Sequence, residues 1–193
     1  MIQITKGFPE DQRATVAALY WEAFGGKLGK VFGPDARALR YITQIMRPDH
    51  CCVAIDPSGR VLGVAGFKTP EGGFVNGTSA QMQAVYGWFG ARWRGFALWL
   101  LAHEVDNENF LIDGIAVTRA ARGQGIGTAL LEALCQEGQA RGYASIRLEV
   151  IDSNWRAKAL YERQGFVVGR TDRLGLLGLV FGFKAATTML RPL

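Results

Sequence analysis

Apolar and polar positions along the chain switch between two periods, and the switches mark out the elements. Ile2 and Ile4 alternate with polar neighbours as a short strand that ends at Gly7-Phe8-Pro9. From Asp11 to Phe24, Val16, Leu19, Tyr20 and Ala23 fall at helical spacing, and Gly25-Gly26 predicts the stop. A second helix is predicted over Asp35–Met46, entered through Gly33-Pro34 and closed before Pro48. Cys51–Ile55 and Arg60–Phe67 are β-rich runs joined by Asp56-Pro57-Ser58-Gly59, the composition of a hairpin turn.

Residues 69–80 are rich in Gly, Thr and Ser and predict a loop. Gln81 to Leu101 is apolar and aromatic, with Tyr86, Trp88, Phe89, Trp93, Phe96 and Trp99. A membrane-spanning helix needs about 20 consecutive apolar residues. Arg92, Arg94 and several glycines interrupt this stretch, and His103-Glu104 closes it. Two short helices or one kinked helix, packed on the domain or on a second copy, is the expectation.

The second half is more regular. Asn109–Thr118 reads as a strand, and Gly125–Arg141 as an amphipathic helix with Ala129, Leu130, Ala133 and Leu134 inward and Gly142 beyond its end. Ala144–Ile151 is the next strand, and Trp155–Gln164 a short helix ended by Gly165. A strand starts at Phe166–Gly169, and a last β-rich segment runs from about Leu179 to Leu190. Strand and helix alternating in this way predict a right-handed crossover for any parallel pair.

Composition narrows the function classes. The 193 residues are 49% hydrophobic and 20% charged, which suits one globular domain. A net charge of +5 comes from scattered arginines without a basic run, so a small anionic ligand is favoured over nucleic acid. Cys51, Cys52 and Cys135 are odd in number and two are adjacent, which predicts buried thiols and no disulfide framework. His50 stands beside two of them, but no second ligand pair follows, and no metal is expected. The first residues lack a charged leader with a long apolar run, so a cytoplasmic setting is expected. His103 is read as a surface or capping residue, and Cys135 as packing.

Twenty-five glycines are roughly twice the usual share, and three of them carry the candidate chemistry. Val117-Thr118-Arg119-Ala120-Ala121-Arg122-Gly123-Gln124-Gly125-Ile126-Gly127-Thr128 joins a predicted strand to a predicted helix. Free N–H groups and the positive end of the helix dipole meet there, and missing Cβ atoms let a phosphate approach them. A Walker loop would need a Lys before Thr128, and a dinucleotide fingerprint would need its third glycine one residue later. Arg-x-x-Gly-x-Gly, with Arg122, Gly125 and Gly127, remains as a metal-free pyrophosphate cradle. Downstream, Asn154, Ala157 or Lys158, and Tyr161 share one helix face, which brings an amide, a small gap and a phenol to one ligand.

Residues 109–166 resemble the GNAT superfamily of acyl-CoA-dependent N-acyltransferases. The loop has that family's Gln/Arg-x-x-Gly-x-Gly/Ala form. Asn154-x-x-Ala157-x-x-Leu160-Tyr161-Glu162-x-x-Gly165-Phe166 matches a second family pattern at the expected distance. The resemblance implies an α/β fold of α+β type. It would be one domain over 1–193, a mixed and mostly antiparallel sheet of six or seven strands flanked by helices. Segment 81–104 would be an apolar helical insertion in it. Acetyl-CoA would bind where strands 109–118 and 144–151 splay apart. Its arm would pair with the backbone of Ile115, Ala116 and Val117, and its pyrophosphate would sit on Arg122, Gly123, Gln124, Gly125, Ile126, Gly127 and Thr128. Asn154, Ala157 and Lys158 would flank the cofactor; Lys158, where the family usually has an apolar residue, would approach its 3′-phosphate or simply be exposed.

A primary amine would attack the thioester directly, with Tyr161 protonating the departing thiolate. Asp113 is the first candidate base: it lies where the family often has an acidic residue, and alternation puts it on one face with Ile115 and Val117. A structural, hydrogen-bonded carboxylate is the competing reading, and Glu149 is a second candidate. The other function class left open is a non-catalytic acyl-CoA-binding module. The insertion is expected to cap the acceptor site, form a homodimer contact, or both, and its aromatic content points to a partly hydrophobic acceptor.

Overall fold

The computed structural model describes residues 1–101, 108–173, 175 and 182–193. Adjacent residues of one strand divide between two cores, and this sets the layering. In β2 (Cys51–Ile55), Cys51 and Val53 join the core built with helices α1 (Arg13–Phe32), α2 (Asp35–Ile45) and α3 (Ser79–Leu101). Cys52 and Ala54 join the core beneath α4 (Ile126–Ala140). The period of two thus buries both faces of one sheet.

The other strands are β1 (Gln3–Lys6), β3 (Val61–Thr69), the two-residue β4 (Gly72–Gly73), β5 (Phe110–Val117), β6 (Ser145–Ile151), β7 (Val167–Arg173) and β8 (Ala185–Pro192). Their order is β1-β2-β3-β5-β6-β8-β7, with β4 paired to β3. Among the described residues every strand pairing is antiparallel except β5 with β6. The expected sheet type, the hairpin 51–67 and the order of helices and strands are all present. The predicted loop 69–80 contains β4. The expected start of the last strand at Leu179 lies outside the described residues, as do His103 and Glu104.

Two helices differ from expectation. Helix α1 does not stop at Gly25-Gly26 but continues to Phe32. Val31 and Phe32 in its last turn are buried, and Phe24 and Leu28 pack against the same core. That burial outweighs a helix penalty of about 1 kcal/mol per glycine. In α4 the buried positions are Ile126, Leu130, Leu131, Leu134, Cys135 and Gly138, while Ala129 is exposed and Ala133 half-buried. The inward stripe is rotated toward Leu131 and Cys135, both buried, which bring more apolar area to the core than two alanines would.

Segment 79–101 is a kinked helix, as the pattern predicted. The break is at Gly87 (φ 71°, ψ 171°), backbone that almost only glycine adopts. Before the break Met82 and Tyr86 are buried, and the Tyr86 hydroxyl donates to the Phe32 carbonyl at 2.7 Å. After it Trp88, Phe89, Trp93 and Phe96 are exposed; the Trp99 side chain lies outside the described residues. Among the described residues no helix is long and apolar enough to cross a membrane.

All three cysteines are free and buried. Burial pushes the Cys51 thiol well up and the Cys52 thiol to about 11. His50 is buried, stacked on Phe67 at 5.3 Å between ring centroids, with Nδ1 3.0 Å from Asp49 Oδ1.

Candidate active site

The site begins with a failure of pairing. Strands β5 and β6 meet at only two rungs, Phe110 with Ile146 and Leu111 with Arg147. Beyond them β5 continues along β3 and β6 continues along β8. Both strands twist with their other partners, so a cleft opens between their C-terminal ends. The Thr118 N–H donates to the Leu62 carbonyl at 2.8 Å, which fixes the phase of β5. By alternation Ala116 also directs its N–H and C=O at β3, while Ile115 and Val117 direct theirs into the cleft. Of the three residues expected to pair with the cofactor arm, Ile115 and Val117 are the ones so placed.

The chain leaves β5 through a 3-10 turn (Arg119–Ala121) and reaches α4 through the glycine loop. Gly123 and Gly125 have φ of 80° and 79°, and a Cβ at either would meet nothing within 4 Å. Their conformation turns consecutive N–H groups outward, and the space in front of them is open. No side chain caps the N-terminus of α4, so its first-turn N–H groups join that surface. Gly127 serves differently: Leu160 would stand 3.6 Å from a Cβ there, which lets the next helix close in. The Arg122 guanidinium turns back, donating from Nε to the Val117 carbonyl at 3.1 Å, with a second nitrogen 3.8 Å from Glu22. The loop therefore offers its backbone more than this side chain.

Helix α5 (Trp155–Arg163) forms the other wall. Asn154 is its N-cap, accepting the Ala157 N–H at 3.3 Å on Oδ1. That bond leaves the Nδ2 donors out of the cap. Lys158 is 3.9 Å from Glu162 on the exposed side, and Ala157 packs against the α4-side core. Tyr161 packs on the same core, its ring 5.9 Å from Phe166, and burial alone raises its phenol to about 12. The hydroxyl is thus a proton donor throughout the neutral range. Gly165 at φ 82° ends the helix.

Asp113 is not where alternation puts it. Gly66 pairs with Gly114 and Phe67 with Ile112, so Asp113 is an extra residue, a β-bulge in β5. The added residue slips the alternation. Ile115 and Val117 pack toward α4, whereas Asp113 faces α1, as does Gly114, where a Cβ would collide with Phe24. Asp113 Oδ1 is 3.1 Å from Lys68 Nζ, and Oδ2 accepts the Val75 N–H at 3.4 Å. Its charge raises the Lys68 pKa and adds to the burial that raises Tyr20. Glu149, on β6, is 3.1 Å from Arg147. Lys68, Val75, Tyr20 and Arg147 were not singled out from sequence as neighbours of the candidate base. A lysine closing the apolar run Val61–Phe67 is the one signal that pointed to any of them.

The sequence matches the model of the Acetyltransferase (GNAT) family over residues 14–166. The chain belongs to that family. As a GNAT acetyltransferase it is an acetyl-CoA-dependent enzyme that moves an acetyl group to an amine. Solved structures agree on the fold. An N-acetyltransferase from Staphylococcus aureus Mu50 superposes with a TM-score of 0.67 at 17% identity, over 97% of this chain and 99% of that one. A GCN5-related N-acetyltransferase from Kribbella flavida gives 0.65 at 19%, over 100% and 98%. The ribosomal-protein-S18-alanine N-acetyltransferase from Escherichia coli gives 0.57 at 20%, over 100% and 94%. No curated protein matches the sequence. Among the described residues of this GNAT enzyme there is no group of three side chains suited to hold a metal. The open backbone at Gly123 and Gly125 fits a pyrophosphate held by N–H groups without one.

Proposed function

We propose that the acetyl donor lies in the β5–β6 cleft. Its pyrophosphate would be held by the backbone of Arg122, Gly123, Gln124, Gly125, Ile126, Gly127 and Thr128, and its arm by Ile115 and Val117. Asn154, through Nδ2, Ala157 and Lys158 line the α5 side. The observation that carries this reading is the two-rung pairing of β5 with β6 beside an uncapped, glycine-led helix N-terminus. The neutral amine forms its C–N bond as the C–S bond breaks, and Tyr161 gives its proton to the thiolate. The amine's own proton passes to Asp113, directly or through water. Lys68 Nζ stands 3.1 Å from Asp113 Oδ1, beside the carboxylate that would accept it.

The whole chain is read as one domain, 1–193, with 81–104 as an insertion. The exposed rings on α3 (Trp88, Phe89, Trp93 and Phe96) are read as an acceptor cap or a contact between two copies.

Release of free thiol from acetyl-CoA over a panel of amines tests the reaction. Tyr161→Phe is expected to lower kcat by about 10²- to 10⁴-fold, the usual worth of a positioned general acid, with little change in the KM for acetyl-CoA. Undiminished kcat in this variant would remove Tyr161 from the chemistry. Binding of acetyl-CoA without thiol release on any amine would count against the whole reading.

A further inference from the structure

The cleft's α1-side face carries two ion pairs, one on each bank. The last rung joins Leu111 to Arg147. The next residues of that face are Asp113 on β5 and Glu149 on β6, because Ile146, Leu148 and Val150 all turn toward α4. Each carboxylate has its own cation: Lys68 lies 3.1 Å from Asp113, and Arg147 lies 3.1 Å from Glu149. The pairs also sense each other, since Glu149 adds to the effect of Asp113 on Lys68. Side-chain exposures of 43% and 10% in the first pair and 20% and 28% in the second leave them within reach of a solute.

Four charges that sum to zero select for balance. A ligand with a single charge displaces one partner of a pair and leaves the other desolvated and unmatched. A ligand with an amine and a carboxylate on the same carbon replaces both at once, with a separation like that inside each pair. Resting on the acetyl-transfer reading of this cleft, we infer that the acceptor is a free α-amino acid. Its nitrogen is received between Asp113 and Glu149, and its carboxylate between Lys68 and Arg147. Lys68 and Arg147 are then specificity-determining residues, and the bulge lets Asp113 share their side of the sheet while Ile115 and Val117 face the other.

Thiol release from acetyl-CoA is measured with free α-amino acids, the corresponding α-amino amides and simple alkylamines. Acids are expected to exceed their amides in kcat/KM by at least roughly tenfold, because only they satisfy the cations that the site exposes. Lys68→Met and Arg147→Met are each expected to collapse that acid-to-amide ratio through the KM of the acid, and Lys68→Arg to restore most of it. Amides or alkylamines used as well as the acids by the unaltered enzyme would overturn the proposal, as would an unchanged ratio in both methionine variants. The ratio in the unaltered enzyme decides the matter even where a variant does not fold. Absence of thiol release with every amine is a different result, and it strikes the reaction assignment instead.

Discussion

The loop 122–128 and the helix α3 are both rich in glycine, and their key glycines look alike in isolation. Gly123, Gly125 and Gly87 all have φ between 71° and 80°, and a Cβ on any of them would meet nothing within 4 Å. Their consequences are opposite. In the loop the turn sits between a strand end and an uncapped helix, so it presents backbone donors to open space. In α3 the same freedom bends a helix. One arm docks Tyr86 against Phe32 and Tyr41, and the other carries exposed aromatic rings. An open glycine signals room for something; the flanking elements decide whether that is a ligand or a change of direction.

The comparison breaks first at Gly125. Valine there would force a β-branched side chain into a left-handed conformation that costs about 1–2 kcal/mol, and would place methyl groups over the N–H surface. Losing one hydrogen bond to a charged group, worth about 1.5–3 kcal/mol, corresponds to roughly 10- to 100-fold. Gly125→Val is therefore expected to raise the KM for acetyl-CoA by that range, with kcat much less affected. Thiol-release kinetics at varied acetyl-CoA check it. Unaltered affinity would mean that the loop is a turn and nothing more.

The same contrast explains what was legible in the sequence. The conformation of the loop was readable because glycine spacing reports backbone directly. The Asn154–Phe166 pattern was readable because one helix carries it. Asp113 was placed on the right strand but the wrong face. A bulge adds one residue whose only mark is a register slip against β3, and no spacing within β5 discloses it. Lys68 and Arg147, placed in the proposed acceptor site, were missed for a related reason, since strand neighbours distant in sequence bring them beside it. Gly25-Gly26 misled because local propensity counts about 1 kcal/mol per glycine and cannot see Phe24, Leu28 and Phe32 packing on the core.

The aromatic arm of α3 is the next place to press. Trp88 and Trp93 are 54% and 48% exposed, and the Arg92 guanidinium lies 5.1 Å from the Trp88 ring. Little of this surface holds up the core, so Trp88→Ser with Trp93→Ser is expected to leave stability within about 1 kcal/mol. It is expected to shift either the oligomeric state or the acceptor KM by a few-fold. Light scattering and acceptor profiling check the two arms of that statement. If neither moves, the rings serve no contact and the bend at Gly87 has no surface to display.

The mildest change supplies the control for both glycine stretches. Gly26 lies inside α1 at ordinary helical φ, and a Cβ there would meet nothing within 4 Å. It shares the open surroundings of Gly125 and lacks the positive φ. Alanine should then restrict the unfolded chain at no cost to the folded one. Gly26→Ala is expected to stabilise the protein by about 0.4–1 kcal/mol, with kcat and both KM values unchanged. Gly25, one residue earlier, differs because a Cβ would stand 3.0 Å from Cε2 of Trp21, so alanine there has to move a ring packed into the core. Denaturant melts of the two variants separate open space from positive φ as the reason a glycine matters. Destabilisation by Gly26→Ala would mean that α1 depends on glycine there for more than conformational freedom.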